Sequence, residues 1–301
     1  MVMEPFFNCL KNNHSHWFHF LRFDPFLLWL RFYPRPQQNG NPINPYIEAY
    51  LFNIHDGQNY YIKEESKHKF VEKVRNGVKW RNNGVLYRSG MMGAIAHLSW
   101  DFNFLSELKD SFYLRGGWLA RLLGREQFWI FISGNPYNGS ITFRDQNYFI
   151  QQDTRSLAGI CYSSAKPKPR AWGFYISPTE NIRLQFIAYV QRGQKIIAFD
   201  FYRNLKDQGS DTARSCACPQ FLWNKNEIEF EFNSEKSHVK ALFKNRDDYW
   251  VKAEGSAENP QNYCFYPFIE IHLENCQTGE RQSIHNTPSD LAFLEVDGVT
   301  L

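Results

Sequence analysis

The sequence predicts an all-β, antiparallel chain with barrel or sandwich architecture. Aromatic residues make up 17% of its 301 residues, against only four Met. Turn pairs recur between short apolar runs as Asp56-Gly57, Asn76-Gly77, Asn83-Gly84 and Asn138-Gly139. Many of those runs alternate apolar and polar residues, the period of a half-buried strand. A chain of this length can bury a full core as one large β domain or as two barrels packed together.

The N-terminal part is the most aromatic. Residues 19–36 read HFLRFDPFLLWLRFYPRP, broken by Arg22, Asp24 and Arg31. The longest uncharged run, residues 25–30, is far short of the roughly 20 apolar residues that cross a bilayer. Two readings stay open for residues 1–44: a barrel strand with its aromatic side inward, or a segment lying at a membrane interface.

After an Asn/Gln/Gly/Pro-rich loop at 37–44, hairpins follow one another. Strands at 46–54 and 58–62 flank Asp56-Gly57, strands at 69–75 and 78–80 flank Asn76-Gly77, and 85–88 follows Asn83-Gly84. Residues 94–104 alternate as one strand with Leu98, Trp100, Phe102 and Phe104 inward. Leu105, Leu108 and Phe112 are spaced as in a short helix, and 118–123 suggests another. Residues 127–133 carry no charge and are expected to be buried on both faces. Asn138-Gly139 is expected to turn them into a strand at 140–151, with Ile141, Phe143 and Asp145 on one side.

The long loop at 155–170 marks a boundary, giving a first β unit at 45–165 and a second at 166–301. In the second unit, strands are expected at 172–177, 182–191, 195–202, 227–232, 239–243, 249–253, 265–273 and 291–296.

Charge excludes one large class of function. A formal charge of +3, from 34 basic and 31 acidic residues, is too small to hold nucleic acid by bulk electrostatics, and no nucleic-acid motif is present. Cys9, Cys161, Cys216, Cys218, Cys264 and Cys276 form no pair of CxxC knuckles, and His14, His16 and His19 suit no standard metal site. No phosphate loop, nucleophile elbow or HExxH occurs, and no cofactor is expected. With no secretory signal visible, reduced thiols in a cytoplasmic protein are expected. Lys166, Lys168 and Arg170 form a basic loop, solvated or touching acidic lipid at a membrane surface.

Several blocks, taken in order, resemble the tocopherol cyclase family. They are Trp100-Asp101-Phe102-Asn103, Gly117-Trp118-Leu119-Ala120, Phe143-Arg144-Asp145, the run NRDDYWVKAEG at 245–255, and Leu294-Glu295-Val296-Asp297-Gly298. The resemblance implies two lipocalin-like β-barrels, related to carotenoid hydratases, enclosing an apolar pocket for a prenylated substrate. The chain departs from the family where Gln151-Gln152-Asp153-Thr154-Arg155 replaces Glu-Lys-Asn-Trp-Gly, and it lacks the family's opening Phe-Phe-Glu-Gly-Trp-Tyr.

The cyclisation that the resemblance implies protonates a double bond and lets a phenol capture the cation. It requires a protonated acid, an apolar cavity and π faces. Asp145 and Asp153 are the candidate acids; the alternative is that each is a surface aspartate paired with Arg144 or Arg155. Gln151 can bond a quinone or phenol oxygen but cannot supply a proton as an acid. Trp100, Trp118, Trp129, Trp172 and Phe143 are candidates to line the pocket, or are plain core, and His97 is expected to face outward. The expected partner is a hydrophobic small molecule, a prenylated quinol or polyene. Two functions stay open: a proton-transfer cyclase or hydratase, and a non-catalytic carrier of the same fold.

Overall fold

The computed structural model of the chain describes residues 15–34, 37–38, 41–68, 71–74, 77–81, 83–87, 89–105, 112–115, 127–133, 136–153, 155–163, 170–191, 194–205, 209–215, 221–224, 226–246, 250–252 and 262–297. Among them every regular element is a β-strand and every pairing is antiparallel. In chain order the strands are β1 Ser15–Phe23, β2 Phe26–Tyr33, β3 Gln37–Gln38, β4 Asn41–Pro42, β5 Tyr46–Asn53, β6 Asn59–Glu65, β7 Glu72–Val74, β8 Gly77–Trp80, β9 Gly84–Tyr87 and β10 Gly90–Ile95. There follow β11 Leu98–Phe104, β12 Phe112–Arg115, β13 Gln127–Ser133, β14 Tyr137–Phe143, β15 Gln146–Asp153, β16 Ser156–Ser163, β17 Arg170–Ser177, β18 Ile182–Gln191, β19 Gln194–Leu205 and β20 Gly209–Ser215. The last are β21 Phe221–Trp223, β22 Glu227–Asn233, β23 Ser237–Lys244, β24 Trp250–Lys252, β25 Asn262–Cys264, β26 Phe268–Asn275, β27 Arg281–His285 and β28 Leu291–Asp297.

The chain divides into two units, Met1–Lys166 and Pro167–Leu301. In the first, a sheet ordered β12-β13-β16-β1-β2-β5-β6 and a sheet ordered β15-β14-β11-β10-β9-β8-β7 share one core. Alternation decides which residues enter it. Trp17, Leu21 and Phe23 of β1, and Phe26, Leu28, Leu30 and Phe32 of β2, meet Trp100, Phe102 and Phe104 of β11 and Ile141 and Phe143 of β14. The second unit repeats the plan with sheets β20-β19-β18-β17-β28-β25-β24 and β21-β22-β23-β26-β27, around Phe186, Phe199, Phe230, Phe243 and Ile271.

The aromatic N-terminal segment is a strand pair deep in the first sheet, and both of its faces are buried. Phe18, Phe20, Leu27 and Trp29 point away from the core yet are as enclosed as the residues pointing in. This two-sided burial accounts for near-continuous aromatic text, which a half-solvated strand would not tolerate.

The hairpin expected at Asn138-Gly139 does not form, since residues 127–133 are β13, paired with β12 and β16 in the other sheet. Gly139 lies within β14, paired with Phe102 on one side and Ile150 on the other. A Cβ there would lie 2.0 Å from the carbonyl oxygen of Asp101, so the glycine permits a close backbone approach. The turn falls at Arg144-Asp145, between paired Phe143 and Gln146, with φ of +50° and +67°. Those signs are those of a type I′ turn, made here without glycine.

Two other expectations are corrected. Residues 94–104 are not one strand, because Ala96 (φ +47°) and His97 form a tight turn between β10 and β11; alternation from Leu98 onward holds nevertheless. Short helices were expected within 105–123, but Phe112–Arg115 is strand β12, paired with β13, and most of the remainder lies outside the described residues. The burial expected for 127–133 concerns side chains that also lie outside them.

Candidate functional site

On β2 and β5 the residues turned away from the core carry a polar cluster. Their register sets Arg31 directly opposite Glu48, with Trp29 opposite Tyr50 and Tyr33 opposite Tyr46 on either side. Cross-strand neighbours of opposite charge attract, and Arg31 Nη1 lies 2.9 Å from Glu48 Oε1, with side chains only 11% and 8% exposed. Tyr33 and Tyr61 each donate a hydroxyl hydrogen bond to Glu48, one to each carboxylate oxygen, at 3.1 Å. A buried carboxylate needs such partners, and here both oxygens have one.

Aromatic rings frame this pair. The Arg31 guanidinium sits 4.6 Å from the Trp29 ring centroid and 5.1 Å from that of Tyr33. Phe20 stacks on Trp29 at 4.8 Å, Tyr46 on Tyr33 at 4.3 Å and His16 on Tyr33 at 4.9 Å, while Tyr50 contacts both Trp29 and Tyr61. Lys63 Nζ lies 4.4 Å from the Tyr46 ring. Burial first, and then the negative charge of Glu48, push the phenols of Tyr46 and Tyr61 well above their ordinary range. Both stay protonated donors at any working pH. Tyr61 is 43% exposed, so the cluster is open at that edge while Glu48 behind it is enclosed.

The exposed ring of Tyr61 can receive a flat apolar molecule, with the Glu48 carboxylate behind it. Positive charge and phenol donors stand ready to balance the proton exchanged.

The residues expected from sequence do not converge. Asp145 is exposed in its turn, and Gln151 is exposed on β15, the edge strand of the second sheet. Asp153 is half-buried and tied to Arg155, whose backbone N–H and side-chain Nε donate to it at 2.6 and 3.0 Å. Phe143 points inward against Tyr60, Phe26 and His97, at 5.0, 5.8 and 5.3 Å between ring centroids. His97 itself is exposed.

Trp100 shares that core and packs against Gly93, where a Cβ would come within 2.6 Å of the indole. Trp172 belongs to the second unit, donating its Nε1–H to Glu295 and packing on Phe293 at 4.9 Å. Trp118, and the side chain of Trp129, lie outside the described residues.

Sequence reasoning missed Arg31, Glu48, Tyr33 and Tyr61. The signal was present as single opposite charges inside two neighbouring apolar strands. Among the described residues, no group of three or more His, Cys, Asp or Glu is placed to hold a metal ion.

No family model matches the sequence, and no curated protein is similar to it. Solved structures are. Kievitone hydratase from Nectria haematococca superposes with a TM-score of 0.56 at 9% identity, covering 96% of this chain and 90% of that one. An AttH-type protein from Nitrosomonas europaea gives 0.56 at 10%, covering 96% and 94%. CghA gives 0.56 at 10%, covering 95% and 87%, and it has also been solved with Sch210972. The chain shares their lipocalin-like fold. At this identity the likeness extends to the fold alone.

Proposed function

We propose that the protein acts by proton transfer on a hydrophobic, hydroxyl-bearing small molecule, a prenylated quinol or related isoprenoid, in the manner of a tocopherol cyclase or a hydratase. One observation carries this: Glu48, enclosed with Arg31 and two phenol donors in an aromatic sheet face that is open at Tyr61. The substrate approaches over the exposed ring of Tyr61, and its hydroxyl takes the place of the Tyr61 hydroxyl at Glu48. Glu48 in its acid form gives its proton to the double bond, and the substrate oxygen captures the resulting cation as its own hydroxyl proton passes to Glu48. One C–O and one C–H bond form, one O–H bond and one π bond are lost, and the atoms balance. The fold neighbours lend support, since one is named a hydratase and another was solved with a small molecule.

A second reading, a carrier without turnover, is favoured by the exposure of Asp145, which leaves Glu48 without a second carboxylic acid from that turn. Incubation with a phytyl quinol, followed by chromatography for the chromanol, separates the two. Product that disappears in Glu48→Gln supports catalysis. Quenching of tryptophan fluorescence by the quinol with no product supports the carrier, and neither product nor quenching sinks both.

A further inference from the structure

We infer that the protein forms a symmetric dimer through β15, whose free edge pairs antiparallel with the same strand of a second copy. Among the described residues β15 ends its sheet and is paired with β14 alone. An end strand presents unpaired N–H and C=O groups, and proteins usually blunt such an edge with charge or keep it short. Of the other end strands in the four large sheets, β6, β7, β12, β20, β24 and β27 each carry Lys, Arg, Asp or Glu, and β21 has three residues. β15 is eight residues long and carries no charge from Gln146 to Gln152. Its run Asn147–Gln152 holds Tyr, Phe and Ile with no Gly or Pro, the composition of segments that pair with their own kind. Tyr148 and Ile150 turn inward, which leaves Phe149 on the outer face, 81% exposed. The next most exposed large apolar side chain among the described residues, Leu222, is at 53%.

The backbone pattern selects the register. Arg144 donates its N–H to the carbonyl of His97 on the β11 side, so Phe143 and Ile141 turn theirs toward Gln146 and Tyr148 of β15. By alternation the backbone groups of Asn147, Phe149 and Gln151 face the free edge. A two-fold axis at Phe149 pairs these open residues with one another: Phe149 meets Phe149, and Asn147 meets Gln151 of the other copy. Between them Tyr148 meets Ile150. Amide faces amide and apolar faces apolar, with no like charges in register, so the strand is complementary to itself. Beyond Gln151 the ladder shifts register at Gln152 (φ +47°), opposite the Tyr137–Gly139 stretch, and this bulge ends the open edge. Each copy uses up its edge in the pairing, so assembly closes at two.

Sedimentation velocity of the full chain tests this. The wild type should pass from one chain mass to two over the micromolar range, the affinity suited to a small interface. Asn147→Lys combined with Gln151→Lys sets lysine opposite lysine twice, and the dissociation constant should rise at least about tenfold. Asn147→Lys combined with Gln151→Glu sets lysine opposite glutamate twice and should restore the dimer, less so as salt is raised. Within one strand these two positions lie about 13 Å apart, too far to pair, so the rescue reports contact between copies alone. In the wild type, amide hydrogen exchange at Asn147, Phe149 and Gln151 should slow as protein concentration rises, a readout that needs no variant. A wild type that stays monomeric, an assembly larger than two, or a dimer indifferent to the two lysines would overturn the inference. So would dissociation that the lysine–glutamate combination fails to reverse, or exchange at the three amides that ignores concentration.

Discussion

Each unit buries a glutamate on a sheet face turned away from its own core, and the two glutamates are handled differently. Glu48 in the first unit meets a guanidinium and two phenols, beside a tyrosine that is 43% exposed. Glu295 in the second takes the indole N–H of Trp172, among Phe174 and Phe293, and none of these three neighbours is more than 2% exposed. A buried carboxylate is therefore not enough to make a site on this scaffold. What distinguishes Glu48 is the exposed tyrosine at its edge.

The largest effect should come from breaking the first cluster. Arg31→Met leaves Glu48 buried without its cation, and removing one partner of a buried pair typically costs about 3–5 kcal/mol. Urea unfolding measures it. The double variant Arg31→Met with Glu48→Leu should recover most of that loss, because it is the stranded charge that is costly. Equal losses in the single and double variants would show that the two residues are not coupled.

Acid should also separate the units. The imidazole of His19 has its pKa lowered from 6.5 to about 3 by burial in the folded protein. Below pH 6.5 the unfolded chain takes up a proton that the folded chain refuses until about pH 3, so this contribution is complete above 6.5 and lost as pH falls. The slope is about 1.4 kcal/mol per pH unit. His238, His272 and His285, the histidines of the second unit, are exposed. Hydrogen exchange at pH 4 to 5 should show β1 and β2 losing protection before β17 and β18, and His19→Phe should remove the difference. Simultaneous loss in both units would count against it.

Much of this architecture was legible in the sequence, because alternation is a local property. Leu98, Trp100, Phe102 and Phe104 face inward as their spacing demands, and so do Ile228, Phe230 and Phe232. The turn was misplaced because Asn138-Gly139 carries a strong local signal for a tight turn, while its glycine answers a long-range demand, the close passage of Asp101. The site was less legible still. Arg31 and Glu48 are 17 positions apart in the sequence, and only the pairing of β2 with β5 makes them neighbours.

Trp172→Phe tests the second half of the comparison. It removes the donor to Glu295 while keeping an aromatic ring against Phe293, and a buried acceptor that loses a partner costs about 1–3 kcal/mol. Stability should fall by that amount with quinol binding unchanged. A loss of quinol binding without a loss of stability would move the site into the second unit.

The smallest effect is expected at Asp145. It is exposed, it occupies a left-handed turn position that Asn adopts as readily, and surface changes of this kind usually stay within about 0.5 kcal/mol. Asp145→Asn should leave both the urea midpoint and any chromanol formation as in the wild type, whereas Glu48→Gln should abolish the product. The pair of variants sets the hairpin turn against the sheet face as sources of the proton. If Asp145→Asn proves inactive and Glu48→Gln active, the catalytic acid lies in the turn, and the Arg31–Glu48 pair falls to the same structural standing as Trp172 and Glu295.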